Sequence, residues 1–277
     1  DTSGWEVSLS SDGSRVAISA WNNDGNGTNS GHVRVYDYNG SAWAQVGADI
    51  DGEAAYDNFG IDTSLSSDGS RVAIGATFND GTSGNANDKR GHVRIYDYNG
   101  SAWVQVGTDI DGEAADDRSG STVSLSSDGS RVAIGASFND GNGADSGHVR
   151  IYDYNGSAWV QVGGDIDGEA ADDKSSKLSL SSDGSRVAIG ASHNDGNGTD
   201  SGHRSIYDCK GSAWVQVGVD IDGEAAGDKI RKISLSSDGS RVAIGGTHND
   251  GANGADSGHV RVYSISSGES YQYAWDI

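Results

Sequence analysis

One octapeptide, Ser-Asp-Gly-Ser-Arg-Val-Ala-Ile, occurs five times in this chain, with its aspartate at Asp12, Asp68, Asp128, Asp183 and Asp238. The spacings are 56, 60, 55 and 55 residues. Self-similarity at a fixed period means that one supersecondary unit is being stacked, because a single short unit cannot bury its own apolar face. Each unit runs VSLSSDGSRVAIGA, a loop NDGNGxxSG, HVRVYDYNGSAWVQVG, then DIDGEAAxD. In the first unit this predicts four strands, near Val7–Ser10, Arg15–Ala20, His32–Tyr38 and Ala42–Val46. Val16, Ile18 and Ala20 alternate along one of them, as do Val33 and Val35 along another, which is the period of a half-buried strand. Asp12-Gly13 and Asn39-Gly40 predict two-residue hairpins with positive φ at both central residues. No stretch sustains a 3.6-residue apolar period.

Four short antiparallel strands repeated five times predict an all-β, five-bladed β-propeller, with a linear stack of open β-units as the alternative. The blades fall at about 1–56, 57–116, 117–172, 173–227 and 228–277. Both chain ends lie between units, so each blade is expected to come from contiguous sequence, as in a piece cut from a longer protein. Ile18, Ile74, Ile134, Ile189 and Ile244 are the equivalent core positions.

Asp57-Asn58-Phe59-Gly60 followed by SLSSDGSRVAIGA resembles the FG-GAP repeat family, the propellers of integrin α-subunit heads and of many secreted or surface proteins. Phe59-Gly60 and Gly75-Ala76 match the two ends of the motif, and Gly135-Ala136 and Gly190-Ala191 match the second end alone. The resemblance implies a propeller in an extracellular or cell-surface setting. Calcium-binding members carry a long Asp-rich loop between the first two strands. Here a tight Ser-Asp-Gly turn takes its place, so that site does not transfer to Asp12 and its equivalents. Family members also often have seven blades.

Composition narrows the function classes. Lys+Arg 19 against Asp+Glu 41 leaves a net charge of −22, which argues against nucleic acid and anionic membranes as partners. No apolar run is long enough to insert into a membrane. One cysteine, Cys209, excludes a disulfide framework.

The acidic loops between units are the candidate metal ligands: Asp49, Asp51, Glu53, Asp57; Asp109, Asp111, Glu113, Asp117; Asp165, Asp167, Glu169, Asp173; and Asp220, Asp222, Glu224, Asp228. Carboxylates two residues apart around a glycine suit Ca²⁺, the expected ion. The same residues also read as polar turns capped by aspartate. Asp24, Asp80, Asp140, Asp195 and Asp250 open Asn-Asp-Gly loops and read as turn residues. His32, His92, His148, His203 and His259 open the third strand of each unit and read as structural or surface residues. Trp43, Trp103, Trp159 and Trp214, with Tyr36, Tyr96, Tyr152 and Tyr207, read as packing between blades rather than as a sugar platform. Trp5, Trp21 and Trp275 do not repeat. Asn26, Asn39, Asn99, Asn155 and Asn197 satisfy the N-glycosylation pattern.

Catalysis needs one asymmetric constellation, whereas this chain repeats the same residues. The expectation is therefore no enzyme. It is a non-catalytic structural or adhesive extracellular domain, with a multivalent carbohydrate- or protein-binding propeller as the alternative. Its partners would be a protein or glycan at the cell surface, or further copies of itself.

Overall fold

The computed structural model describes residues 1–81, 87–250, 254, 256–265 and 271–276, and all its regular elements are strands. In the first sheet β1 (Val7–Leu9), β2 (Arg15–Ala20), β3 (His32–Tyr38) and β4 (Trp43–Gln45) pair in that order, all antiparallel. A short strand, β5 (Ile50–Asp51), pairs with the start of β3 beyond the end of β4. The second, third and fourth sheets repeat this five-strand arrangement, and the fifth has four strands. The short strand was not foreseen. It is a two-residue element in a stretch that reads as a polar loop.

The hairpins differ from expectation. Gly13 (φ 70°) and Gly40 (φ 95°) take the left-handed conformation, but Asp12 and Asn39 do not. Their side-chain oxygens instead accept the backbone N–H of Ser14 (2.9 Å) and Ser41 (3.0 Å). That local bond makes a longer turn with one positive φ sufficient.

The chain forms two compact units. One comprises Asp1–Ala136 with Tyr152–Gln161, the other Ser137–Ile151 with Val162–Ile277. In the first unit, Ala17, Val33, Val35 and Ile50 of the first sheet pack on Phe59, Leu65, Val72, Ile74 and Ala76 of the second unit of sequence. Ala73, Val93, Ile95 and Ile110 then pack on Val123, Leu125, Val132 and Ile134. In the second unit, Ala188, Ile206 and Ile221 pack on Val242, Ile244 and Ile265. Period-2 alternation sends successive residues of one strand into two different seams.

Polar contacts repeat at every seam. The Ser8 hydroxyl accepts the Leu65 N–H (2.9 Å), and Ser179 does the same for Leu235 (3.0 Å). Arg15 grips Asp37 (2.5 and 2.7 Å) and donates to the Gly69 carbonyl of the next sheet (3.0 Å). Its guanidinium lies 5.0 Å from the Tyr98 ring centre, a cation–π contact. The Trp103 indole donates back to the Val46 carbonyl (2.9 Å). Trp159 and Trp214 repeat this on Val106 and Val162.

One expectation is corrected at the first sheet. Val7 and Leu9 of β1 are 56% and 59% exposed, against 7% for Leu65 and 8% for Leu125 at the equivalent place. Ile18 is half-buried, while Ile74, Ile134, Ile189 and Ile244 are buried. The described sheets are propeller-like antiparallel repeats, five strands in each of the first four and four in the fifth.

Candidate functional site at the histidine–carboxylate clusters

Pairing of the short strand decides what the acidic loops do. β5 registers Asp51 opposite His32 and Ile50 opposite Val33. The same register sets Asp111 opposite His92, Asp167 opposite His148 and Asp222 opposite His203. Isoleucine turns into the seam, and the flanking aspartates stay at the rim beside the histidine. His32, Asp49 and Asp51 thus form one group, and Glu53, His92 and Asp109 another, each with ligand-type atoms within 4.8 Å of one another.

In these two groups an arginine already balances the carboxylates. Arg34 bonds Asp49 (2.8 and 3.0 Å). Arg94 bonds Asp109 (2.8 Å) and pairs with Glu53. His92 is 1% exposed, with Nδ1 3.8 Å from Asp109. Burial, reinforced by Arg94, pushes its pKa down to about 4, so the ring is neutral at pH 7. In the fifth repeat Arg261 pairs with Glu224, which it holds below the usual carboxylate range.

The fourth repeat breaks the pattern. Its third strand reads His203-Arg204-Ser205-Ile206, where the others read His-Val-Arg-Ile or His-Val-Arg-Val. Moving the arginine by one residue sends it to the opposite face of the strand. Arg204 is fully buried over Gly190, which has no Cβ to obstruct it, and donates to the His203 carbonyl. Its Nε and Nη2 have no hydrogen-bond partner among the described residues, and burial lowers its pKa. Ser205 takes the rim position, and its hydroxyl donates to Asp220 Oδ1 at 2.5 Å. Gln216 donates to the same oxygen at 2.7 Å.

Glu169, His203 and Asp220 form the cluster there, with His203 Nδ1 3.4 Å from Glu169 Oε2. Burial, then the neighbouring Asp220 charge, raises the Glu169 pKa. Burial lowers that of His203 against the pull of Asp220 and Asp173. Two carboxyls, a buried imidazole and a hydroxyl thus converge without the guanidinium that pairs with the carboxylates of the first and second groups.

The other predicted residues divide between the two readings. Asp57, Asp173 and Asp228 are buried turn caps that accept the N–H groups of Ala54, Ala170 and Ala225 and the amides of Asn79, Asn194 and Asn249. Asp117 caps Glu113 and Ala114 in the same way. Asp165 and Asp167 each lie 4.0 Å from His148. Asp24, Asp80, Asp140, Asp195 and Asp250 each accept a backbone N–H across their own loop. Asn26 and Asn197 donate inward to the carbonyls of Gly52 and Gly223, while Asn39, Asn99 and Asn155 sit at exposed tips. Cys209 is a free thiol. Trp5 stacks edge-on against Trp21 at 5.5 Å, and the side chain of Trp275 lies outside the described residues.

Sequence reasoning missed the histidines, the arginines at Arg34, Arg94 and Arg261, and Ser205. The usable signal was the one-residue displacement of arginine in the fourth repeat.

No family profile matches the chain, and no curated protein matches it. Solved structures share its fold. A periplasmic gluconolactonase of Pseudomonas aeruginosa, PpgL, aligns at TM-score 0.61 and 15% identity, over 98% of this chain and 71% of its own. Hydrazine synthase of Kuenenia stuttgartiensis aligns at 0.59 and 15%, over 98% of this chain and 65% of its own. TolB from Acinetobacter baumannii aligns at 0.53 and 12%, over 96% of this chain and 55% of its own. The chain thus spans less than two-thirds of the latter two. The expectation of a non-catalytic adhesive or structural domain is overturned here. Structures with these repeated sheets include named enzymes, and the fourth repeat supplies the asymmetry that strict repetition seemed to exclude.

Proposed function

We propose that the chain is a hydrolase on a propeller-like scaffold, with its reaction centre at Glu169, His203, Ser205 and Asp220. The observation that carries this reading is the arginine-to-serine change at the rim, which leaves Glu169 and Asp220 with no guanidinium at that position. A carboxyl whose pKa is raised by burial and by a neighbouring carboxylate is placed for proton transfer. Ionised Glu169 takes a proton from a water as the water oxygen bonds to the ester carbonyl carbon. The acyl carbon–oxygen bond then breaks, and the departing oxygen receives that proton back by way of His203, which lies within reach of Glu169. Asp220, fixed by Ser205 and Gln216, orients the pair.

The donor set also fits a divalent cation, with two carboxylates and an imidazole nitrogen close together and His203 neutral. A nitrogen ligand favours Zn²⁺ or Mn²⁺ over Ca²⁺, which prefers an all-oxygen shell. When bound there, such an ion would polarise a substrate carbonyl or acidify a water. The shared fold with a gluconolactonase supplies the substrate class to test first, a sugar lactone.

The test is hydrolysis of glucono-lactone followed by pH-stat, with Zn²⁺, Mn²⁺, Ca²⁺ or chelator. Turnover above the spontaneous rate is expected. Glu169→Gln and Ser205→Arg should abolish it, the second by restoring the arginine of the other repeats. No turnover, or turnover unchanged in Glu169→Gln, overturns the reading.

A further inference from the structure

One cavity of the first compact unit lies between the loops of the first two repeats, where later seams carry a charge pair. At successive seams a loop carbonyl accepts an N–H from the linker that follows. Asn58 bonds Asn29 (3.1 Å), Lys174 bonds Asp145 (3.1 Å) and Lys229 bonds Asp200 (3.2 Å). The last two add an ion pair between the side chains, Lys174 to Asp145 and Lys229 to Asp200, each at 3.8 Å. In the first seam both positions hold amides, which cannot form such a pair. A cavity of about 440 Å³ opens there, within the roughly 300–1,000 Å³ of small-molecule sites.

Asn29, Tyr56, Asn58, Phe78, Asn87 and Lys89 line it. Tyr56 has no counterpart in the other linkers, which carry Asp116, Asp172 and Gly227 at its place. It is 62% exposed and left-handed (φ 71°), so neither burial nor backbone preference accounts for a tyrosine there. Lys89 takes the position of Asn29 in an expanded loop, and the residue that bonds its carbonyl is a second cation, Arg118 (3.2 Å). Among the described residues Lys89 makes no ion pair. Asp80, also at the wall, is committed to the loop, where it accepts the Lys89 backbone N–H at 3.0 Å.

We propose that this cavity binds a sugar carboxylate, a pyranose ring bearing one acidic group, as in a uronic acid. Primary amides both donate and accept hydrogen bonds, as sugar hydroxyls do, so three asparagines suit a polyol. The exposed Tyr56 ring offers a flat apolar surface to the C–H face of the pyranose while its hydroxyl stays in water. The Lys89 ammonium takes the carboxylate as a point charge. Arg118, with its guanidinium 5.1 Å from the centre of the Phe78 ring, adds positive potential at the same wall. A chain of net charge −22 admits an anion only beside such cations. The site is single rather than repeated, and it stands independently of the hydrolytic centre of the fourth repeat.

The experiment is ligand-observed NMR on the whole chain, with glucuronate, glucose and acetate as probes. Saturation transfer to glucuronate is expected, with glucose and acetate each bound about tenfold or more weakly. Tyr56→Asp, the residue at 116 and 172, should weaken glucuronate and glucose alike. Lys89→Asn, the residue of the first repeat, should erase the preference for glucuronate over glucose. The chain already holds these residues at equivalent places, so far-ultraviolet spectra should be unchanged. None of the probes is a lactone, so the result is read without hydrolysis. Three outcomes overturn the proposal. The first is no transfer to glucuronate. The second is acetate bound as tightly as glucuronate, which reduces the site to a simple anion contact. The third is binding that neither substitution alters.

Discussion

The Ser205 hydroxyl donates to Asp220 Oδ1 at 2.5 Å, at the strand position from which Arg34 and Arg94 bind Asp49 and Asp109 in the first and second sheets. A serine satisfies one carboxylate oxygen but brings no positive charge, so Glu169 is left beside an uncompensated Asp220. Putting the charge back reverses the sign of the effect. Ser205→Arg is expected to bring the Glu169 titration from above the ordinary glutamate range to below it, as Arg261 does for Glu224. Carboxyl-detected NMR titration reads this directly. A Glu169 value unmoved by the substitution would show that burial alone sets it.

His92 makes stability depend on pH. Its folded pKa is about 4, against an ordinary 6.5, so the unfolded chain binds the proton more tightly. Stability is then complete above about pH 6.5 and falls as pH drops towards 4, by about 1.4 kcal/mol per unit in that window. Asp109 and Glu53 oppose the shift and Arg94 adds to it, so the net slope belongs to the group. Urea midpoints of the wild type and His92→Gln, measured between pH 4 and pH 7, isolate the histidine. The difference between them should shrink as the pH is lowered.

Equivalent positions in the repeats should not be equivalent in energy. Ile134 is 1% exposed and lies between two sheets, so Ile134→Ala is expected to cost about 2–5 kcal/mol. Val7→Ala, at a residue 56% exposed, should fall within about 0.5 kcal/mol under dilute conditions. Chemical denaturation of both variants checks the contrast. Equal losses would mean that the first sheet is covered in solution.

Much of this fold was legible because its signals are local. The Asp-Gly and Asn-Gly turns, the alternation in SRVAIGA and the recurring tryptophans each specify a strand, a hairpin or a seam within one repeat. The site was half legible. The acidic loops stood out, but whether Asp51 faces a histidine depends on the register of a two-residue strand that no periodicity betrays. Ser205 was visible as a departure from the repeat, yet its meaning required knowing that Arg34 and Arg94 hold carboxylates.

Cations provide the remaining prediction. The 22 excess negative charges repel one another, so both screening by salt and binding of a specific ion should raise the melting temperature. The two separate by concentration and by ion. Screening needs ionic strength near ~0.1 M and is nearly indifferent to which cation supplies it. A site stabilises by RT ln(1 + [L]/Kd), about 2.7 kcal/mol at a hundredfold excess of ion over Kd. At constant ionic strength, micromolar Zn²⁺ or Mn²⁺ is expected to raise the melting temperature more than Ca²⁺ does, because the Glu169–His203–Asp220 group offers a nitrogen. His203→Gln should remove the Zn²⁺ increment while leaving the salt response intact. The first and second clusters should contribute little, since Arg34 and Arg94 occupy the carboxylates a cation would need. A melting temperature that is the same in chelator, Ca²⁺ and Zn²⁺ would leave all four acidic loops as polar turns and take the metal out of the mechanism.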